Sequence, residues 1–171
     1  MSIVNSQIAS VVVSALLRGT QLCSIRVDSS IIQVQFIRFG NVEGMPKEVW
    51  INVSGSLITD ATSLAWGSKS SEDFFVRRAS VLGEVYFLNG EEVTDAYVSD
   101  SGALKIQMGD KYLCAESDHD DFEEVWAVMN DDPSTSYDHH WYVMLDDAGD
   151  LSAIIPDWFL DLKNLDDSRG S

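Results

Sequence analysis

Basic side chains are almost absent from the second half of this chain. Residues 86–171 hold 21 acidic residues and only four basic ones, whereas residues 1–85 hold seven of each sign. The formal net charge of −17 therefore arises entirely in the second half. A field of this sign repels nucleic acid and anionic membranes, and it attracts a strongly basic partner. The alternative is that the charge serves only to keep the protein soluble.

Long apolar runs and paired cysteines are also missing. No apolar stretch approaches the roughly 20 residues that a membrane-spanning helix needs. The run from Ile8 to Leu17 has no basic residue before Arg18, so we expect no export signal. Cys23 and Cys114 stand far apart, without a CxxC or metal-ligand spacing. We expect both thiols to be buried and reduced, as in a cytoplasmic protein.

The remaining composition is that of a folded protein. Apolar residues make up 45% of the chain, and there are only three prolines. A chain of 171 residues with this composition predicts a single domain, which we place at residues 1–165, followed by a disordered tail at 166–171.

Three short matches recur in the same order along the chain and predict an internal duplication. Leu17-x-Gly19 resembles Leu88-x-Gly90, residues 32–36 resemble residues 104–108, and residues 48–50 resemble residues 124–126. We therefore expect two similar halves, at about 6–54 and 71–129.

Hydrophobic spacing predicts one helix followed by a meander of strands in each half. The predicted helices are 6–18 and a second that begins near Ser70 or Ser71 and ends at Gly90. The predicted strands are 20–28, 31–39, 46–54, 91–99, 103–109, 111–116 and 123–129, with hairpin turns at Ser29-Ser30, Asp100-Ser101-Gly102 and Gly109-Asp110. Two further strands at 140–155 and a short helix or turn that docks on the core, with Trp158, Phe159, Leu162 and Leu165, complete the chain. The predicted fold class is α+β, mostly antiparallel β, with two pseudo-repeats.

Motifs for catalysis and for cofactors are missing as well. There is no GxGxxG, P-loop, GxSxG, HExxH or EF-hand pattern, so we expect neither an enzyme nor a cofactor or metal. The three histidines, His119, His139 and His140, lie among acidic residues. Acid-flanked histidines can bind a divalent metal or transfer protons, although solvated loop histidines are the simpler interpretation.

The strongest functional signal is a pair of acidic segments. Residues 116–124 run into the strand 123–129, and residues 130–138 follow it. Aromatic residues are interleaved with them (Phe122, Trp126, Tyr137 and Trp141), although Phe122, Trp126 and Trp141 also fit a core role. An acidic rim with aromatic anchors is typical of a tight binder of a basic protein. The predicted binding residues are Glu116, Asp118, Asp120, Asp121, Glu123, Asp131, Asp132, Tyr137 and Asp138.

The motif Leu88-x-Gly90-x-x-Val93, followed by Leu104-x-Ile106-x-Met108-Gly109-Asp110-x-x-Leu113 and Glu123-Glu124-Val125-Trp126, resembles small acidic bacterial immunity proteins. These include the immunity proteins of contact-dependent growth inhibition and related polymorphic toxin systems. The resemblance spans about 88–129, with a partial match at 17–50. It implies a cytoplasmic protein that binds and blocks one cognate toxin domain, often a nuclease. Binding residues rarely transfer within such families, so none is carried over.

The sequence leaves four hypotheses for function. The first is an immunity protein, favoured as a monomer, that occludes the active site or nucleic-acid surface of a basic nuclease toxin. The second is a nucleic-acid mimic that inhibits a DNA-binding defence protein. The third is a metal-dependent hydrolase built around His119, and the fourth is a secretion chaperone or adaptor.

Overall fold

The computed structural model describes residues 2–28, 31–59, 74–116, 124–130 and 140–159. All strand pairs in these ranges are antiparallel, which confirms the predicted α+β, mostly antiparallel class. In chain order the elements are β1 (Ser2–Ile3), α1 (Ser6–Leu17), β2 (Thr20–Val27), β3 (Ile32–Arg38), β4 (Glu48–Val53), β5 (Ser56–Thr59), α2 (Phe74–Phe87), β6 (Asp95–Val98), β7 (Leu104–Met108), β8 (Lys111–Glu116), β9 (Glu124–Met129), β10 (Tyr142–Asp146) and β11 (Leu151–Ile154).

Helix α1 forms where the apolar spacing predicts it. The side chain of Asn5 accepts a hydrogen bond from the backbone N–H of Ile8 and so caps the first turn. Arg18 is the C-cap, and Gly19 follows with a φ of 75°, the left-handed conformation that ends many helices.

The strands form two sheets. The large sheet has seven strands in the order β1-β11-β10-β9-β4-β3-β2, and the small sheet has four in the order β5-β8-β7-β6. On β3, the side chains of Ile32, Val34 and Phe36 are buried and alternate with half-buried polar residues, so one face of the large sheet lines the core.

One cluster of buried residues draws on both sheets and both helices. Helix α1 packs against β6 of the small sheet and against β10 and β11 of the large sheet, while α2 packs against β5. The sheets also meet directly, because the backbone N–H groups of Ser54 and Gly55 both donate to the carbonyl of Val125.

Turn chemistry was predicted well at two hairpins. Residues 99–103 close the β6–β7 hairpin, and Gly109 with Asp110 closes the β7–β8 hairpin. The predicted turn at Ser29 and Ser30 lies outside the described residues. The predicted docking of the C-terminal helix is confirmed for Trp158 and Phe159, which pack against the core; Leu162 and Leu165 lie outside the described residues.

The structure does not confirm the predicted duplication. Strands β2, β3 and β4 of the first half all belong to the large sheet, whereas β6, β7 and β8 form part of the small one. The last strand of the second half, β9, pairs instead with β4 in the large sheet, with Trp50 opposite Met129. Each helix is nevertheless followed by a glycine with positive φ, Gly19 and Gly90.

Three local expectations need correction. Strands β1 and β5 were not predicted, because two and four residues are too few for a periodic signal. The predicted strand 91–99 is shorter, because residues 90–93 hydrogen-bond to the beginning of β2 and only 95–98 join β7. Cys23 is exposed while Cys114 is buried. Cys23 follows the buried Leu22 along β2, so strand alternation turns its side chain outward, and it is also the extra residue of a bulge between Leu22 and Ser24.

Candidate functional site

Carboxylates from separate parts of the chain meet at one end of the large sheet. Glu124, the first residue of β9, lies opposite Asp146, the last residue of β10. The hydroxyl of Tyr142 donates a hydrogen bond to Glu124 Oε2. In the turn that follows β10, Asp146 Oδ1 accepts a hydrogen bond of 2.8 Å from the backbone N–H of Asp150. These contacts fix the position of two carboxylates at the strand ends.

The small sheet adds Glu116 to the same end. Glu116 is the last residue of β8 and lies opposite Ser56, the first residue of β5. Immediately before Ser56, the N–H groups of Ser54 and Gly55 reach the carbonyl of Val125, each at 3.0 Å. The end of β8 and the beginning of β9 are therefore joined through the short link between β4 and β5.

The β6–β7 turn contributes Asp100. The indole N–H of Trp126 donates to the carbonyl of Gly102 at 2.9 Å, which holds this turn against the large sheet. Asp100 accepts a hydrogen bond of 3.1 Å from the hydroxyl of Ser6, at the first turn of α1. A negative charge is favourable there because the N-terminus of a helix carries partial positive charge.

We call this surface the acidic end. Its described members are Asp100, Glu116, Glu124, Asp146, Asp147 and Asp150. Among the described residues, none of the six forms an ion pair, and the one ion pair, Lys111 with Glu91, lies elsewhere. Three of the six carboxylates are half-buried and three are exposed.

The electrostatic effect of the acidic end is visible in two neighbouring groups. The pKa of the Cys114 thiol is raised, first by burial and second by the charge of Glu116, while Lys105 opposes the shift. The pKa of Tyr142 is raised above its ordinary value by burial and by its hydrogen bond to Glu124. Both shifts favour the neutral form of the group, and in both the largest cause is burial.

Glu116 is the predicted binding residue that the structure describes. The other eight lie outside the described residues: Asp118, Asp120, Asp121, Glu123, Asp131, Asp132, Tyr137 and Asp138. The structure does describe the residues that flank these two segments, which we call the anchors of the segments. Residues 117–123 connect Glu116 to Glu124, and both of these belong to the acidic end.

The second predicted segment has different anchors. Residues 131–139 connect Asn130 to His140, which lie beyond the opposite end of β9 and β10. The six residues of β9 separate the two pairs of anchors by roughly 20 Å at the usual rise per strand residue. The segments therefore join the fold at opposite ends of one strand.

Two of the four candidate aromatic anchors belong to the core instead. Trp126 and Trp141 are 0% and 1% exposed: Trp126 lies within β9 opposite the buried Leu145, and Trp141 lies immediately before β10. Trp141 packs edge-on against Trp158 and Phe159. Phe122 and Tyr137 lie outside the described residues.

Asp100, Asp146, Asp147 and Asp150 are not among the binding residues predicted from the sequence. They occupy two hairpin turns that are remote from 116–124 in the chain, so only the sheet topology brings them together. The sole signal in the sequence is the excess of acidic residues across the whole second half.

Of the histidines, His140 is half-buried, and His119 and His139 lie outside the described residues. Within the described ranges, no group of three or more His, Cys, Asp or Glu is arranged to hold a metal ion.

Comparison with known proteins gives no relative. The chain matches no protein-family model, no curated protein and no solved structure. In the part of the chain that the structure describes, neither helix has the length and apolar content to span a bilayer.

Proposed function

We propose that this protein is a cytoplasmic immunity protein that binds a basic nuclease toxin domain and neutralises it without catalysis. The acidic end carries this proposal. It consists of six described carboxylates from four separate places in the chain, and two of them, Glu116 and Glu124, flank a segment that adds Asp118, Asp120, Asp121 and Glu123. Toxins that cleave nucleic acid are basic because they bind phosphates, and carboxylates at phosphate positions would block them.

The absence of ion pairs at the acidic end, among the described residues, strengthens this interpretation. A carboxylate already paired with lysine or arginine contributes little field, whereas those of the acidic end have no ion-pair partner among the described residues. Their potential is therefore available to a partner and would steer it toward this end, with association rates approaching about 10⁸ M⁻¹s⁻¹ at low salt.

The geometry separates two versions of the proposal. The partner contacts the acidic end and the segment 117–123, or it contacts the segment 131–139, whose anchors lie roughly 20 Å away. We favour the first version, because the described carboxylates surround Glu116 and Glu124 and not Asn130 and His140.

The first experiment identifies and then tests the partner. The tagged protein is used to capture binding proteins from its native cells, with washes at about 0.1 M and about 1 M salt, where the Debye length falls from about 10 Å to about 3 Å. The expected result is one basic toxin domain that survives the high-salt wash and whose purified activity the protein inhibits at equal molarity. No bound protein, or only salt-labile basic proteins, would reduce the charge to a solubility feature.

The second experiment locates the surface by association kinetics. Three triple charge reversals to lysine have the same effect on net charge: Asp118/Asp120/Asp121, Asp131/Asp132/Asp138, and a control at exposed acids of neither segment, Glu43/Glu92/Asp110. We expect the first variant to slow association at least tenfold more than the control does. Equal slowing in all three variants would show that only total charge matters, and selective slowing by the second would move the site to 131–139.

A nucleic-acid mimic is the alternative that shares these electrostatics. In that case the captured protein would be a DNA-binding defence protein, and added duplex DNA would displace it competitively. A toxin domain encoded beside this chain, and inhibited by it, favours immunity.

A further inference from the structure

An open groove of about 650 Å³ runs along α1 from Ser10 to Arg18, the C-cap residue. One wall is the outward face of α1 and the other is β6, with the loop after β3 and Phe159 closing the sides. Its apolar lining includes Val11, Val42, Met45 and Tyr97, and Val42 and Tyr97 are exposed by 49% and 43%. The volume lies within the range of about 300–1,000 Å³ that is usual for small-molecule sites.

Arg38 gives this groove a charge. Its side chain is only 7% exposed and lies beneath the last turn of α1, where Nη1 donates to the carbonyl of Arg18 and Nη2 to the carbonyls of Ala15 and Leu16. The Nε–H group is buried and has no hydrogen-bond partner. No described carboxylate forms an ion pair with Arg38. The carbonyls of the helix end offset part of the charge but leave this arginine without a counter-ion among the described residues.

Arg18 adds a second positive charge on the same groove. It is exposed, and it too has no ion pair among the described residues. The opposing charge in the lining is Asp95, whose Oδ1 accepts a hydrogen bond of 2.9 Å from the N–H of Ala96. Two arginines against one carboxylate leave the lining with a net positive charge, in a chain whose overall charge is −17.

We propose that this groove binds a small monocarboxylate with an apolar body. The carboxylate lies at the end marked by Arg18 and Arg38, where it supplies the missing counter-charge, and the apolar body contacts Val42 and Tyr97. An exposed apolar wall beside unpaired arginines matches an amphipathic anion better than a neutral or a cationic ligand. This site is independent of the proposed partner surface.

The test uses octanoate, octanol and octylammonium as probes, because they share a chain length and differ in charge. Backbone amide shifts in two-dimensional NMR report saturable binding and its location. We expect octanoate to bind most tightly and to shift residues of α1 and β6 around Ala15 and Ala96. No saturable binding, shifts elsewhere, or equal binding of octylammonium would overturn the proposal.

Two variants set the sign of the effect without touching the buried arginine, whose loss would also uncap α1. Arg18→Ala should weaken octanoate binding about tenfold, and Asp95→Asn, which keeps an oxygen for the Ala96 N–H, should strengthen it several-fold. Arg26→Ala is the matched control, because Arg26 lies over the ring of Trp50 and not in the groove. An unchanged affinity in Arg18→Ala, or a weaker one in Asp95→Asn, would refute anion recognition.

Discussion

Replacing Trp126 by phenylalanine tests how the acidic end is held together. The indole is 0% exposed, and its N–H donates to the carbonyl of Gly102 in the turn that carries Asp100. Trp126→Phe keeps an aromatic ring but removes the donor, so the carbonyl loses its partner. The substitution therefore removes the one side-chain hydrogen bond described between this turn and the large sheet.

The cost has two parts. A buried acceptor without a partner costs about 1–3 kcal/mol. The smaller ring also leaves a void, and for a volume difference of roughly 40 Å³ at about 24 cal/mol per Å³ the cavity adds about 1 kcal/mol. Together these give a loss of about 2–4 kcal/mol in the free energy of unfolding, which corresponds to about 4–16 °C in the melting temperature of a domain this size.

Urea denaturation of the wild type and the variant measures this loss directly. Trp50→Phe is the control with the same chemical change. Trp50 is 5% exposed, lies beneath the guanidinium of Arg26, and has no described hydrogen bond from its indole. We expect it to cost about 1 kcal/mol, chiefly from lost burial and a weaker cation–π contact. Equal losses in the two variants would refute the role assigned to the Trp126–Gly102 bond.

Two further predictions concern the same region. In thermal melts, Gly102→Ala should destabilise the protein by about 1–2 kcal/mol more than the control Gly149→Ala does. Both glycines have similar positive φ values, but a Cβ at Gly102 would lie 2.8 Å from the side chain of the buried Leu145. Equal losses of stability would show that the Leu145 side chain moves aside without cost. The raised pKa of Tyr142 means that the folded state retains its proton above the ordinary tyrosine pKa, so stability should fall as pH rises beyond about 10. Urea midpoints should show a shallower fall in Tyr142→Phe, and parallel profiles would contradict this linkage.

Local periodicity was enough to predict most elements. The spacing of Val12 and Leu16 along residues 6–18 and the alternation of Ile32, Val34 and Phe36 are signals that each segment carries by itself. Turn residues likewise marked two hairpins correctly. Such features depend on neighbours within a few positions, so they can be recognised before the fold is known.

The pairing of strands could not be predicted in the same way. The hairpin rule places β9 beside β8, but β9 pairs with β4, and the sheet order follows from packing across the whole core. The acidic end depends on that order, since Asp100, Glu124 and Asp146 meet only because Trp126 and the β9–β10 register bring them together.

The charges of the fold are ordered along α1, and this order separates the two proposed sites. Asp100 lies at the N-terminal turn and Arg38 caps the C-terminal turn, and both arrangements complement the helix dipole. The twelve residues of α1 place these ends about 18 Å apart, which is about two Debye lengths at physiological salt. A carboxylate in the groove therefore neither blocks the acidic end nor screens it, so each proposal can fail without affecting the other. The arrangement that stabilises the helix also places the proposed basic partner and the carboxylate of the proposed small anion at opposite ends of α1.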